Sequence, residues 1–260
     1  VQLAGGVPVP VACDATHEFK LTPEALTAAI TDKTKAVILT FPNNPTGAVM
    51  TRGQVEAIIP VIEKHDLLVI SDEIYAELTY TDKHASIASM GNMAERTVLI
   101  NGFSKAFAMT GWRVGFVCAP KEIDEAMFKI HQYTILCAPH MSQRAAVCAL
   151  KDGFSDGFSV VEEMRAEYCR RGVFLVNALN SLGLKCFKPK GAFYVFPSVE
   201  KTGLDGEGFA NALLEKCKVA VVPGAAFGAA GVNHVRCSYA TSMRNLTIAV
   251  ERISDFVNGL

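Results

Sequence analysis

The chain has 260 residues, which suffices for one large domain or two unequal ones around a sizeable buried core. Half of the residues are hydrophobic and one fifth are charged, a balance typical of globular proteins, so a disordered chain is excluded. The 25 lysines and arginines nearly balance the 26 aspartates and glutamates, which leaves no bulk charge to hold the protein on nucleic acid or an anionic membrane. We therefore expect a small-molecule substrate, with neither nucleic acid nor a membrane as partner.

The cysteines and histidines do not form a recognisable metal or disulfide pattern. None of the eight cysteines forms a C-x-x-C pair and several lie in apolar stretches, which favours reduced thiols in a cytoplasmic protein. The six histidines are scattered, so we expect no metal centre. The longest apolar candidate, "VAVVPGAAFGAAGV", is broken by Pro223 and falls short of a membrane span, which predicts a soluble protein.

Strands and helices alternate along the first part of the chain. A short strand is predicted over 7–11, followed by a helix with Thr22 as its N-cap. Thr51 and Gln54 have capping-box spacing at the start of the next helix, in which Pro60 should produce a kink. Strands buried on both faces are predicted in "KAVILTF" and "DLLVISDE", and further strands in "TVLINGFS" and "VGFVCAP". This succession predicts an α/β fold with a mostly parallel sheet covered by helices.

The pattern changes past Leu150, where a glycine-rich stretch precedes a long helix predicted over about 160–182. Short strands in "AFYVFP", "VAVVPG" and "HVRCSYA" follow, with a helix in "GFANALLEKC" and a closing helix over about 242–256. We therefore divide the chain into a large domain, 1–150, and a smaller α+β domain, 151–260. The opening residues, "VQLAGGVPVPVA", lack the features of a secretory signal and are interpreted as the middle of a domain.

Polar side chains gather at the ends of three predicted strands. They are Asn43 and Asn44 after the first, Asp72, Glu73 and Tyr75 after the second, and Ser104, Lys105 and Arg113 after the third. In an open parallel sheet the carboxyl ends of the strands face one crevice, where ligands bind. We therefore expect these side chains to share one cleft.

The combination of these groups indicates a cofactor. The G-x-G-x-x-G turn of nicotinamide enzymes is absent, and so is the G-x-x-x-x-G-K-[ST] phosphate loop. A lysine accompanied by an acid and an arginine suits pyridoxal phosphate, whose aldehyde needs an amine and whose ring nitrogen needs an anionic partner. The residues thus favour pyridoxal 5'-phosphate.

At these residues the sequence resembles the fold type I pyridoxal phosphate enzymes, and among them the class I aminotransferases. The resemblance is carried by "FPNNPTG", "SDEIY", "SKAFAMTGWRVG", "GAFYVFP" and "HVRCSYA", and it extends over essentially the whole chain. Within that family, the sequence is most similar to the branch of aspartate and aromatic aminotransferases. The resemblance implies ping-pong transfer of an α-amino group from an amino acid to a 2-oxo acid, in a homodimer.

The resemblance also implies a role for each residue at the strand ends. Lys105 would be the Schiff-base lysine and would shuttle the proton at the substrate α-carbon. Asp72 would pair with the pyridinium nitrogen, and Tyr75 and Asn44 would hydrogen-bond the cofactor's 3'-oxygen. Arg113 would hold the cofactor phosphate.

Substrate binding would fall to Asn44 and to Arg236 in "HVRCSYA", whose guanidinium would clamp the substrate α-carboxylate from the smaller domain. Gly102 departs from the pattern, because many relatives have a phosphate-binding hydroxyl three residues before the lysine. Family members also carry a long preceding segment with a glycine-rich phosphate cradle, a ring-stacking aromatic and much of the dimer contact. We therefore interpret the chain as the C-terminal two thirds of an aminotransferase, and expect it to be inactive alone.

Three other interpretations remain open. A lyase or decarboxylase on the same fold would share Lys105, Asp72 and Arg113, and would differ in its products. A transcription regulator could use such a domain to sense pyridoxal phosphate or amino acids without turnover. An inert, cofactor-free fragment is the third. The sequence leaves the identity of the amino donor open.

Overall fold

The computed structural model describes residues 1–260, and its larger sheet has four strands. In order across the sheet they are β1 (Ala36–Thr40), β2 (Leu68–Asp72), β3 (Thr97–Gly102) and β4 (Gly115–Cys118). The first three run parallel, and β4 is antiparallel to β3. The predicted α/β fold with a mostly parallel sheet is therefore confirmed.

The first two helices begin where the sequence predicts. In α1 (Pro23–Ala29) the side chain of Thr22 accepts a hydrogen bond from an amide of the first turn. In α2 (Arg52–Lys64) Thr51 and Gln54 form a reciprocal capping box. Each cap satisfies amides that have no partner inside the helix, which is why these residue types predict a helix start.

Both helices contribute to a core on one face of the sheet. Ile58 and Ile62 of α2 are fully buried against Leu39 and Val69, which alternate with outward residues on β1 and β2. Pro60 lies inside α2, and the kink expected there stays a prediction. The core fixes β1 and β2 side by side and so aligns their carboxyl ends.

The expectation that β1 and β2 are buried on both faces is wrong. Ile38 is 51% exposed and Leu68 is 40% exposed, on the face opposite the helices. Every residue of β4 is exposed, including Phe116 and Val117. The physical reason is that α1 and α2 cover a single face, so the alternate side chains of the strands meet solvent.

The strand predicted over 7–11 is also wrong, since these residues form no regular structure. Pro8 and Pro10 lack the amide hydrogens that a strand would donate to a neighbour. Val7 is 86% exposed, so the stretch has no packing to compensate.

Three long helices follow the larger sheet: α3 (Lys121–Thr134), α4 (His140–Asp156) and α5 (Ser159–Ser181). The last confirms the predicted long helix, whereas α3 and α4 were not predicted. Leu150 lies inside α4, and the division into 1–150 and 151–260 stays a proposal. None of the helices combines the length and apolar character needed to cross a bilayer.

The smaller sheet is antiparallel and has the order β5-β7-β6. Its strands are β5 (Tyr194–Val195), β6 (Val222–Pro223) and β7 (Val235–Ser238), and its further helices are α6 (Gly206–Cys217) and α7 (Met243–Asn258). Leu179, Phe209, Leu213 and Tyr239 lie at the centre of its core. The short strands and the closing helix predicted here are confirmed.

Candidate active site

The register of the larger sheet brings three strand ends together. Asp72, the last residue of β2, pairs with Thr40 on β1 and with Ile100 on β3. The segments that follow these strands therefore leave the sheet at one edge. This is the edge at which ligands bind in open parallel sheets.

The two asparagines after β1 have different tasks. The Asn43 side chain donates to the carbonyl of Thr40 at 3.1 Å and accepts from the hydroxyl of Thr46 at 2.8 Å. Asn43 therefore holds the loop. Asn44 is exposed, and its Oδ1 accepts a hydrogen bond from Nη1 of Arg236 at 2.8 Å. Asn44 thus connects the end of β1 to the smaller sheet.

Asp72 and Glu73 lie in different surroundings although they are neighbours. Oδ1 of Asp72 accepts from the amide of Ile74 at 3.1 Å, and the residue is half-buried. Glu73 is buried, and its amide donates to the carbonyl of Ile100 at 2.8 Å. The backbone next to Asp72 is therefore tied to β3, while the carboxylate of Asp72 stays without an ion-pair partner.

The Glu73 carboxylate is enclosed by three partners. It accepts from the hydroxyls of Ser71 and Ser86 at 2.9 and 2.8 Å, and Nε2 of His84 lies 2.9 Å from Oε2. Burial alone would raise the pKa of the Glu73 carboxyl. The approach of His84 and the two serine hydrogen bonds outweigh burial and lower this pKa below its ordinary value.

Tyr75 is buried at the end of the same segment. Its hydroxyl lies 3.0 Å from that of Tyr194, and Nζ of Lys105 lies 5.7 Å from its ring centroid. Burial, and then the hydrogen bond with Tyr194, raise the pKa of the Tyr75 phenol well above its ordinary value. Tyr75 therefore carries its proton at neutral pH and can act as a hydrogen-bond donor.

Lys105 lies in a loop between β3 and β4 that is tied by local contacts. The Thr110 hydroxyl donates to the carbonyl of Ser104 at 3.0 Å, and Nη1 of Arg113 donates to the carbonyl of Thr110 at 2.9 Å. Arg113 has a φ of 54°, in the left-handed region that non-glycine residues rarely adopt. These contacts hold Arg113 and the residue before Lys105 on one loop.

The departure at Gly102 has a steric cause. A Cβ there would lie 2.8 Å from the Cα of Gly115 and 3.1 Å from the carbonyl oxygen of Val114. Strands β3 and β4 therefore approach too closely for any side chain at this position. A phosphate-binding hydroxyl at residue 102 would require the two strands to separate.

Arg236 reaches the site from β7. Its Cζ lies 4.6 Å from the ring centroid of Tyr194 and 5.0 Å from that of Phe227. Nη1 is held by Asn44, whereas Nε is buried and has no hydrogen-bond partner. The guanidinium is thus held at Nη1, while Nε and Nη2 have no partner in the chain.

A continuous series of contacts therefore joins most of the predicted residues. It runs from Lys105 to Tyr75, then through Tyr194 to Arg236 and on to Asn44. Asp72 lies three residues before Tyr75 and its charge acts on that phenol. The side-chain hydrogen bond of Arg113 stays within its own loop, so the structure does not join it directly to the others.

Tyr194 is the site residue that sequence reasoning missed. It belongs to the quoted motif "GAFYVFP", but the motif alone does not show which side chain faces Tyr75. The two tyrosines are 119 positions apart, so no local spacing could have paired them.

Comparison with known proteins identifies the family of the chain. The family model described as aminotransferase class I and II matches residues 1–253. An aspartate aminotransferase of Pyrococcus abyssi is 49% identical over 97% of this chain and 65% of its own length. An aromatic-amino-acid aminotransferase of Thermococcus litoralis is 46% identical with the same coverage.

Among solved structures, an aromatic aminotransferase from Pyrococcus horikoshii superposes with a TM-score of 0.96 at 48% identity, covering 99% of this chain and 68% of that one. The chain thus spans about two thirds of the length of the relatives it matches. On the strength of the matched family, the shared fold and the contacts at its strand ends, the chain belongs to the class I and II aminotransferases.

Proposed function

We propose that this protein transfers an α-amino group from an amino acid to a 2-oxo acid with pyridoxal 5'-phosphate. The observation that carries the proposal is the contact series between Lys105 and Arg236, which places an amine and a guanidinium in one cluster built from both sheets. The relatives named aspartate and aromatic aminotransferases support the same reaction class.

The side chains present fit the cofactor by their chemistry. Lys105 and Asp72 have no ion-pair partner within the chain. The amine is therefore free to react with an aldehyde, and the carboxylate is free to pair with a pyridinium. The exposed guanidinium of Arg113 suits a phosphate. When bound, pyridoxal phosphate supplies the aldehyde that condenses with amines and a ring that accepts the electron pair of the α-carbon.

Each residue then has a defined task. Lys105 holds the cofactor covalently and moves the proton at the substrate α-carbon. Asp72 keeps the ring nitrogen protonated, and Tyr75 with Asn44 hydrogen-bonds the 3'-oxygen. Arg113 binds the phosphate.

Arg236 orients the substrate. Its buried Nε has no partner in the chain, and an α-carboxylate could accept from Nε and an Nη of the same planar fork. Because Arg236 stands on the smaller sheet and Lys105 on the loop after β3, a bound substrate would connect the two parts of the chain. That contact would help exclude water from the α-carbon.

The experiment uses the protein at the full length of its natural chain, loaded with pyridoxal phosphate. Lys105→Ala should lose the visible absorption band of the bound cofactor and the transfer of amino groups to 2-oxoglutarate. Lys121→Ala, at a lysine that is 80% exposed on α3, is the matched control and should keep both. A band that persists in Lys105→Ala would overturn the proposal, and release of ammonia and pyruvate without an oxo-acid acceptor would show a lyase.

We further propose that the protein acts as a homodimer in the cytoplasm. The exposed apolar side chains Phe116, Tyr133 and Leu136 support association, and the eight cysteines, all unpaired, support a reducing compartment. Sedimentation velocity should show a dimer for the full-length protein, and a monomer at micromolar concentration would contradict it.

The 260-residue chain alone should bind the cofactor weakly and turn over no substrate, or should self-associate.

A further inference from the structure

Tyr194 occupies the centre of the candidate site. It lies on β5, paired with Ser238 of β7, and is 8% exposed. Its hydroxyl meets that of Tyr75 and its ring lies beneath the guanidinium of Arg236. No role follows for it from the motifs of the sequence.

The hydroxyl pair has one proton to spare. Two tyrosine hydroxyls carry two protons, and the hydrogen bond between Tyr75 and Tyr194 uses one of them. Neither hydroxyl has another hydrogen-bond partner in the chain. One proton of the pair is therefore available to an acceptor outside the chain.

A second tyrosine pair shows what a self-contained arrangement looks like. The hydroxyls of Tyr80 and Tyr239 lie 3.1 Å apart, and both contact the carbonyl oxygen of Ala192. That pair therefore has a protein acceptor for its second proton. The Tyr75–Tyr194 pair lacks such an acceptor, and it is the pair that lies next to Lys105.

The direction of the Tyr75–Tyr194 hydrogen bond follows from the task of Tyr75. If Tyr75 donates its proton to a ligand oxygen, it must accept from Tyr194, because each hydroxyl has a single proton. A phenol that accepts a hydrogen bond is polarised and becomes a stronger donor. Tyr194 would thus strengthen the hydrogen bond that Tyr75 makes to the ligand.

The ring of Tyr194 acts on a different partner. A guanidinium 4.6 Å from a ring centroid is attracted to the face of the aromatic ring. With Nη1 held by Asn44, this contact fixes the plane of the Arg236 fork. The orientation matters because a fork binds a carboxylate through two parallel hydrogen bonds.

We propose that Tyr194 is a positioning residue that serves both halves of the site, through its hydroxyl to Tyr75 and through its ring to Arg236. This inference rests on the proposed function, since it takes the cofactor's 3'-oxygen as the ligand of Tyr75 and the substrate carboxylate as the ligand of Arg236. The two halves of the side chain make the two roles separable.

The test compares Tyr194→Phe with Tyr194→Leu in the full-length protein loaded with pyridoxal phosphate. Tyr194→Phe removes the hydroxyl alone. The pH at which the visible band of the cofactor titrates should rise by about 0.5 to 1 unit, because a weaker hydrogen bond stabilises the 3'-oxyanion less. The KM for the amino donor should change less than about twofold, because the ring remains under Arg236.

Tyr194→Leu removes the ring as well. The KM for the amino donor should then rise about threefold to thirtyfold, from loss of the contact between the ring and the guanidinium. Tyr239→Phe is the matched control, because it disrupts the other tyrosine pair, and both the titration and the KM should stay at their wild-type values. Thermal unfolding of all three variants separates these effects from loss of fold.

The outcomes distinguish this inference from the proposed function. If Tyr75→Phe shifts the titration and Tyr194→Phe does not, the hydroxyl role is overturned while the proposed function stands. An unchanged KM in a folded Tyr194→Leu overturns the ring role. A wild-type protein that forms no visible band with pyridoxal phosphate overturns the proposed function, and this inference with it.

Discussion

The carboxylates on the two sides of the sheet at the end of β2 have different surroundings. On one side the carboxylate of Glu73 is buried and enclosed by Ser71, His84 and Ser86. On the other side Asp72 has a single backbone hydrogen bond. Two adjacent carboxylates therefore differ: Glu73 is enclosed by partners from the chain, whereas Asp72 has one backbone partner and access to solvent.

The difference shows which groups hold the fold and which are free for a ligand. A buried charge without partners costs several kcal/mol, so the chain must supply partners for Glu73. Asp72 is half-buried and keeps access to solvent, so the same cost does not arise. We therefore expect substitutions on the Glu73 side to lower stability and substitutions on the Asp72 side to lower activity.

Glu73→Ala should have the largest effect of the substitutions on the two sides. It leaves the hydroxyls of Ser71 and Ser86 without their acceptor and His84 without its ion-pair partner, and breaking a buried pair in this way costs about 3 to 5 kcal/mol. Urea unfolding of the purified variant measures the change in the free energy of unfolding. A loss below about 1 kcal/mol would show that the cluster does not hold the end of β2.

Asp72→Ala should show the opposite result. The free energy of unfolding should change by less than about 1 kcal/mol, because Asp72 has no ion pair to lose. Some cofactor should remain bound, while the rate of amino transfer should fall at least about a hundredfold, because an unprotonated ring accepts electrons poorly. Normal turnover in this variant would contradict the role assigned to Asp72.

Much of this arrangement could be predicted from the sequence. The buried runs and capping residues such as Thr51 locate most strands and helices, and the strand ends point to Asp72 and Lys105. Two features have no such signal. The Glu73–His84 pair is 11 positions apart across a mostly irregular segment, and the Tyr75–Tyr194 pair is 119 positions apart.

The two wrong predictions arose from local interpretation. The apolar residues of 7–11 resemble a strand until the missing amide hydrogens of Pro8 and Pro10 are counted. The runs of β1 and β2 indicate burial on both faces, but burial depends on what else packs on the sheet. Ile38 is therefore exposed despite its apolar surroundings in sequence.

A smaller effect should appear in the pH dependence of stability. The pKa of Glu73 is lower in the folded chain than its ordinary value of 4.5, so the unfolded chain binds more protons near that pH. The Glu73 contribution is complete above pH 4.5 and is lost as pH falls through the folded pKa. The free energy of unfolding, measured with urea from about pH 7 to about pH 3, should therefore fall less steeply with pH in Glu73→Gln than in the wild type. Equal slopes would contradict the lowered pKa.

The smallest effect is expected from Thr51→Ala, which belongs to neither side of the β2 end. Loss of the capping box at the start of α2 should cost about 1 kcal/mol of stability. Cofactor binding should be unchanged, which makes the variant a control for nonspecific destabilisation. Thermal unfolding and cofactor titration measure the two quantities. A large loss of cofactor affinity would show that destabilisation alone can weaken cofactor binding.

Borohydride reduction can show whether Lys105 is the amine that binds the cofactor. The full-length protein is incubated with pyridoxal phosphate, reduced and digested, and its peptides are analysed by mass spectrometry. We expect a phosphopyridoxyl adduct on Lys105 that is absent from Lys105→Ala. An adduct concentrated on a different lysine, or spread evenly over the exposed ones, would rule out this role for Lys105.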